Sequence, residues 1–563
     1  MPKHNSQRTL PQSTRPQPTH SSALNASRRN AEWQELKRIS ASSTVDEQPD
    51  LVIIGAGVTG AGIALDAASR GLKTVLVDAH DLAFGTSRWS SKLVHGGLRY
   101  LASGNVGIAQ RSANERRVLM EKTAPHLVRA IPQVVPVYAG QPLGKALLPR
   151  IGFIAGDVLR VLSRTSATTL PRSRTVSAKR VAQLVPGVKN TSLRCGHLNY
   201  DGQLIDDARL VVAIARTAAS YGAKVLTKVK ASDVDGTSLT LTDTLSGETL
   251  RLRARQVVNA TGVWAGDLAP EIRVRPSRGT HIVVDSAKLG NSSSSLTVPV
   301  PGSSSRFCFT LPSQHGRTYI GITDEPLDGP IPDVPATPDS DIDFILGVIN
   351  QALDTPLTRD DVIGAFSGLR PLIDVISDGD DSPSTADLSR NHALITSENG
   401  LISITGGKLT EYRLMAEEVV DAVVKQLSEQ STGQPGRNVA DRIQPCLTRD
   451  VPLVGAPGGP LAQSQQPMPQ NSSQASDIPD SVTARFGTEA AKVISQCPLS
   501  RPCDPVAEGV DITRAEFAWH VTHEGALTVE DLVDRRSRIG LVASDRDKVL
   551  ECAREVLQLT DTK

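Results

Sequence analysis

Between Leu51 and Asp78 the chain places, in order, an apolar run, a glycine turn, a helical stretch, a second apolar run and an acid. No other feature constrains the fold as much. Leu51-Val-Ile-Ile54 reads as a buried strand, Gly55, Gly57 and Gly60 spell G-x-G-x-x-G directly after it, and Ala61, Ala64, Leu65, Ala68 and Gly71 carry a helical pattern. In such a unit the first glycine makes the tight turn, the second lets the backbone approach a pyrophosphate, and the third lets helix and strand pack closely. Lys73-Thr-Val-Leu-Val77 gives the next strand, ending at Asp78, 18 residues beyond Gly60, where a carboxylate can bond ribose hydroxyls. Three glycines alone are a weak signal; in this context they predict a dinucleotide socket.

The 563 residues allow more than one domain, and 39% hydrophobic with 21% charged residues is ordinary for a globular protein. A net charge of +1 gives no reason to expect nucleic acid as a partner. The six cysteines are scattered without zinc-type spacing, so no metal site is expected, and they read as reduced thiols of a cytosolic compartment. The longest uncharged apolar-looking run, Leu51 to Leu65, is shorter than a membrane span. Residues 1–31 carry five basic residues and no acid among Ser, Gln, Asn and Pro. Residues 1–46 are accordingly read as a disordered, solvated tail.

The remaining chain alternates helical and strand patterns. Leu143 to Leu162 mixes Lys145, Arg150 and Arg160 with Leu, Ile and Phe, which suits either a lipid interface or a helix covering the protein's own core. Asp206-Asp-Ala-Arg-Leu210 opens a helix, and Gln256-Val-Val-Asn259 is a buried strand ending in Ala260-Thr-Gly262. Gly279 to Val284, Phe307 to Leu311 and Tyr319 to Asp324 form a strand-rich block that suits an inserted antiparallel sheet. Leu401-Ile-Ser-Ile-Thr405 returns to a parallel strand, followed by a second glycine turn, Gly406-Gly-Lys-Leu-Thr410. Residues 451–480 read as a linker and 481–563 as helices, with a capping signal at Thr528-Val-Glu-Asp531. His520-Val-Thr-His-Glu524 has no zincin spacing and is read as structural.

Strand carboxyl ends face the ligand in such sheets, so the loops after Asp78, Thr261 and Thr405 converge on the cofactor. The candidate cofactor residues are Gly55, Gly57, Gly60, Asp78, Thr86, Ser87, Ser91, Lys92, Leu93, Ala260, Thr261, Gly262, Gly407, Lys408, Leu409 and Thr410. The second turn starts a helix, where aligned N–H groups favour negative charge. A flavin accumulates negative charge on its pyrimidine side when it takes a hydride and a nicotinamide does not, so FAD is the expected cofactor.

The combined pattern resembles the FAD-dependent, quinone-linked glycerol-3-phosphate dehydrogenases. The resemblance rests on Ser90-Ser-Lys-Leu-Val-His-Gly-Gly-Leu-Arg-Tyr-Leu101, Asp206 to Leu210, Val258 to Gly262, Gly279 to Val284, Ser367-Gly-Leu-Arg-Pro-Leu372, Gly406-Gly-Lys-Leu-Thr-Glu-Tyr-Arg413 and His523 to Arg536, in that order over roughly residues 48–560. Asp78 stands where the family commonly has Glu, and Glu411 where Thr is usual. The resemblance implies an α/β fold: a Rossmann-like FAD-binding domain (47–450) interleaved with a substrate part (roughly 125–200 and 265–390), and a C-terminal all-α cap. It implies oxidation of sn-glycerol 3-phosphate to dihydroxyacetone phosphate by hydride transfer from C2 to flavin N5. Electrons would pass to a quinone at the inner face of the cell membrane, where the protein would associate peripherally from the cytoplasm.

A doubly charged phosphate needs fixed cations, and Arg99, Arg370, Arg390 and Lys408 are the candidates, with Tyr100 orienting the substrate. His95, His281 or Lys408 could accept the hydroxyl proton, while Arg370, too basic to accept it, would stabilise the developing alkoxide. An oxidase returning electrons to oxygen as hydrogen peroxide would share these motifs. An amine oxidase of similar architecture would not need several phosphate-binding cations. A regulatory dinucleotide-binding module would show no flavin bleaching. The motifs are silent on oligomeric state, a homodimer being one option.

Overall fold

Strand β1 (Leu51–Ile54) is buried along its whole length, and its side chains divide by period two between two cores. Leu51 and Ile53 enter one, Val52 and Ile54 the other. A strand buried on both faces belongs at the centre of a parallel sheet. In the computed structural model, which describes residues 17–42, 44–97, 105–303, 306–373, 392–430, 443–460 and 478–561, β1 is indeed interior. With β2 (Thr74–Asp78), β3 (Lys224–Thr227), β4 (Gln256–Asn259), β5 (His392–Thr396) and β6 (Ile402–Gly406), it forms a sheet of order β5-β6-β4-β1-β2-β3. All pairs are parallel except β5–β6. Gly55, Asp78, Ala260 and Gly406 therefore emerge on one edge.

One face is covered by the helices Val58–Ser69, Asp207–Ser220 and Tyr412–Gln430. The other is covered by a three-stranded antiparallel sheet (Val229–Ser232, Ser238–Asp243, Thr249–Arg253) and by a helix, α1 (Ala26–Ala41). Helix α1 corrects the expectation of a solvated tail through residue 46. Asn25 caps it by accepting from Arg28 N at 2.9 Å, and Trp33, Leu36 and Ile39 bury one narrow stripe against the sheet. Arg29 donates to Asp243 at 2.6 Å, both side chains buried. Low overall hydrophobicity hid a helix whose three apolar residues fall on one face.

The second layer is a ten-stranded sheet. Val274–Asp285 pairs antiparallel with Val362–Ile373 and with Arg317–Gly321, and Val128–Tyr138 with Leu193–Leu204. It is antiparallel as expected except where Ser295–Pro299 runs parallel to Val128–Tyr138. The helices Asp480–Phe486, Ala490–Ser495, Arg514–Thr522 and Ala543–Asp561 build the C-terminal unit, with Phe517, Val533 and Val549 in its core. Thr528 and Asp531 cap each other reciprocally, Asp531 Oδ2 accepting from Thr528 N at 3.0 Å and Thr528 Oγ1 from Asp531 N at 3.2 Å. The first part of the expected linker is packed instead: Val451, Leu453, Val454 and Ala456 are buried, and Leu453 N donates to Thr123 O at 2.8 Å. Residues 461–477 lie outside the described residues. No described helix is long and apolar enough to cross a membrane.

Candidate functional site

At the carboxyl edge of the parallel sheet lies a cavity of about 1950 Å³ lined by both glycine turns, the Ala260 to Gly262 turn, the Thr86 to Leu93 loop and part of the second sheet. Its first wall is the glycine turn. Gly55 adopts φ +103°, and a Cβ on Gly60 would sit 1.8 Å from Gly55 O, so helix and strand touch there as the spacing predicts. The Asp78 carboxylate accepts from Ala56 N at 2.7 Å and from His80 N at 2.8 Å, tying the acid to the turn at the cavity wall. Burial pushes that carboxyl up from its ordinary range, more than the Ala56 and His80 amides offset. Ser87 Oγ accepts from Val58 N at 2.9 Å, and Thr86 Oγ1 donates to Leu369 O at 2.7 Å.

Strand register builds the opposite wall. Ser277 faces Arg370 and Gly279 faces Gly368 across the pair Val274–Asp285 and Val362–Ile373. A Cβ on Gly279 would lie 2.2 Å from Arg370 Nη2, so this glycine makes room for the guanidinium. Arg370 Nη1 donates to Ser277 Oγ and Asp324 Oδ1, each at 3.1 Å, and Nη2 donates to Thr323 O at 3.1 Å. Ser277 and Asp324 had no motif to mark them; only the pairing shows that they orient Arg370.

The second glycine turn supplies Gly407, Lys408, Leu409 and Thr410 to the lining. Lys408 Nζ donates to Ser112 Oγ at 3.0 Å and to Glu411 Oε1 at 3.1 Å, and Ser112 Oγ bonds the same carboxylate. The family departure at Glu411 thus touches a candidate site residue directly. His95 lines the cavity, on a loop whose Gly96 N donates to Asp201 at 3.3 Å while Arg116 pairs with Asp201 at 2.7 Å.

Two candidates stand behind the wall. His281 is fully buried, stacked on Phe366 at 4.8 Å between ring centroids, and its Nε2 meets Ser91 Oγ at 3.1 Å. Burial, with Lys92 and Arg370 nearby, holds its pKa well below the ordinary value, leaving a neutral ring. Lys92 is also buried: its Nζ donates to Ser90 O at 3.0 Å, Arg88 O at 3.1 Å and Asp207 Oδ2 at 3.2 Å. It braces the loop from behind and does not line the cavity, which corrects its reading as a cofactor contact. Arg99, Tyr100 and Arg390 lie outside the described residues. No group of three or more potential metal ligands occurs among the described residues.

The backbone is bare where a pyrophosphate would approach: Gly57 would bring a Cβ within 4 Å only of Ser87 Oγ, and Gly262 of nothing. With the acid of β2 and a helix-starting turn at the far end, this cleft fits an extended flavin dinucleotide. The geometry defines a flavin-dependent oxidoreductase. Residues 50–413 match the family model of FAD dependent oxidoreductases, and residues 446–563 that of the C-terminal domain of alpha-glycerophosphate oxidase. Glycerol-3-phosphate dehydrogenase 1 of Mycobacterium tuberculosis is 53% identical over 96% of this chain and 99% of its own. The aerobic glycerol-3-phosphate dehydrogenase of Staphylococcus epidermidis is 34% identical over 74% of this chain and 72% of its own. The solved structure of the glycerol-3-phosphate dehydrogenase from Bacillus halodurans, complexed with FAD, superposes with a TM-score of 0.68 at 26% identity, covering 94% of each chain. The chain belongs to the FAD-dependent glycerol-3-phosphate dehydrogenase family.

Proposed function

We propose that the protein oxidises sn-glycerol 3-phosphate at C2 to dihydroxyacetone phosphate and delivers the electrons to a quinone in the membrane it lies against. The observation that carries the reading is that Arg370 and Lys408, fixed by separate elements, face the same cavity as both glycine turns. FAD, held by the glycine turns, Asp78 and the Ala260 to Gly262 turn, supplies the hydride acceptor. The chain's own residues bind, orient and deprotonate the substrate. Arg370 is held by Ser277, Thr323 and Asp324 so that its guanidinium can bind substrate and stabilise an alkoxide at C2. Lys408, an ammonium tied to Glu411 and Ser112, contributes fixed positive charge toward the phosphate. His95, the imidazole on the cavity wall, is assigned as proton acceptor; His281 reaches the cavity only through Ser91.

The helix Leu143–Leu162, α2 here, supports the membrane acceptor. Leu143, Leu147, Ile151, Ile154, Val158 and Val161 form one stripe at helical spacing, and it faces solvent: Leu143 is 79% and Ile151 62% exposed. Of the two roles open to this segment, covering the core is the one its geometry disfavours. From Leu143 to Arg180 the chain carries eight Lys or Arg and a single acid, Asp157, whose carboxylate accepts from Ser173 Oγ at 2.7 Å. Apolar stripe and basic surround suit an anionic lipid surface. Ile151 and Phe153 of the same helix also line the cavity, giving a lipid-soluble acceptor an apolar approach. Oxygen uptake and quinone-analogue reduction during glycerol 3-phosphate turnover test the acceptor. Quinone reduction without stoichiometric peroxide is expected; stoichiometric peroxide with no quinone reduction establishes the oxidase reading.

A further inference from the structure

We propose that the C-terminal domain forms part of the cofactor site through Arg538, a positioning residue that fixes the Ser87 to Ser91 wall. Ser87, Trp89, Ser90 and Ser91 line the cavity, whereas Arg88 between them is buried away from it. The carbonyl of Arg88 is the point at which this wall is held. It accepts from Arg538 Nη2 at 2.8 Å and from Lys92 Nζ at 3.1 Å, so two buried cations converge on one backbone oxygen.

Arg538 is built for this reach. It is 2% exposed and sits at φ +63°, a left-handed region uncommon for side-chain-bearing residues. Its Nη1 donates to Asp534 O at 2.8 Å within its own domain, and its guanidinium lies 4.9 Å from the Trp89 ring. Its two terminal nitrogens donate to backbone carbonyls, one in each domain, and its Nε lies 3.5 Å from the buried carboxylate of Asp206, so a backbone grip and an ion pair act together. Arg535 and Arg536 both donate to Asp81, at 2.6 and 2.8 Å, and Asp81 lies three residues beyond Asp78 in the loop that follows β2. The Arg535 to Arg538 run therefore grips the segment after β2 at two points: Asp81 by ion pairs, Arg88 by its backbone.

A lysine at 538 could reach one carbonyl but lacks the planar fork that spans two. The test uses full-length R538Q and R538K, with R546Q as control, since Arg546 is a half-buried cation of the same domain that pairs with Glu530 at 3.4 Å. Two quantities are measured: FAD affinity of the apoprotein by fluorescence titration, and hydrogen exchange of the peptide spanning residues 84–94 without FAD. R538Q should weaken FAD binding about tenfold or more, the loss of one charge-assisted hydrogen bond. It should also speed exchange in that peptide, with R538K between it and the wild type and R546Q unchanged. If R538Q does not fold, R538K is judged by the same pair of measurements. Wild-type affinity and exchange in a folded variant whose melting temperature is nonetheless lowered would overturn the proposal, leaving Arg538 a domain-packing residue.

Discussion

Arg370 illustrates how a motif residue becomes a site residue. Its strand partner Ser277 and the carboxylate of Asp324 hold two edges of the guanidinium, and Gly279 vacates the space it fills. Arg370→Ala should lower kcat by about 10²- to 10³-fold, the size associated with losing one preorganised donor. Gly279→Ala should give a smaller loss, because its Cβ at 2.2 Å from Nη2 displaces the guanidinium without removing it. Steady-state kinetics on both variants check the order, and equal rates in Gly279→Ala and the wild type would contradict the positioning argument. His95 and His281 separate in the same assay. His95→Asn should flatten the acid limb of kcat/KM, while His281→Asn should act on stability, because that ring is stacked on Phe366 behind the wall. Arg370 and Lys408 line the cavity, but the motifs gave no depth, so His281 and Lys92 looked equivalent to residues that line it. Depth is set by pairing register and by Asp207, neither of which follows from spacing along the chain.

At the scale of elements, β1 was legible because both of its faces are apolar, and α1 was not, because Trp33, Leu36 and Ile39 are diluted among charges that are themselves engaged. Trp33→Ala should cost about 3–5 kcal/mol, the usual range for truncating a buried aromatic. Denaturant unfolding measures it, and a change within ±0.5 kcal/mol, typical of a surface position, would return the segment to the status of a tail. Helix α2 poses the opposite problem: its pattern was visible, but which side the stripe faced was not. Leu147→Asp with Val158→Asp, both on the exposed stripe and away from the cavity lining, should abolish sedimentation with anionic phosphatidylglycerol vesicles. Reduction of a water-soluble dye acceptor should remain near wild type, since only the lipid contact is removed. Unchanged vesicle binding would remove α2 as the membrane surface.

Across the whole molecule, buried ion pairs join the C-terminal unit to the parallel-sheet domain, among them Arg216 with Glu489 at 2.7 Å and the Asp81 pair. Burial alone would push the Asp81 carboxyl up, but the guanidiniums of Arg536 and Arg535 more than offset it and hold the group well below the usual carboxylate range. A carboxylate so depressed stabilises the folded chain above its unfolded pKa of about 3.9, and that contribution is lost as pH falls toward the folded value. Melting temperature should therefore drop as the solution is acidified below about pH 4. Asp81→Asn should be less stable at neutral pH and less sensitive to that acidification; an acid response identical to the wild type's would show that the pair does not couple the domains. The parallel-sheet domain was readable because strand, turn, helix and acid follow one another in order between Leu51 and Asp78. The domain junction was not, because it is made by single long-range arginines whose partners lie hundreds of residues away.

The central claim, a phosphate-selective flavin site, is tested most directly by anaerobic titration of the purified holoprotein with glycerol 3-phosphate and, separately, with unphosphorylated glycerol. Glycerol 3-phosphate should bleach the oxidised flavin absorbance to completion, and glycerol at the same concentration should leave it intact, because Arg370 and Lys408 then have no anion to bind. A flavin that stays oxidised with the phosphate ester, or that bleaches equally with both, would contradict the account.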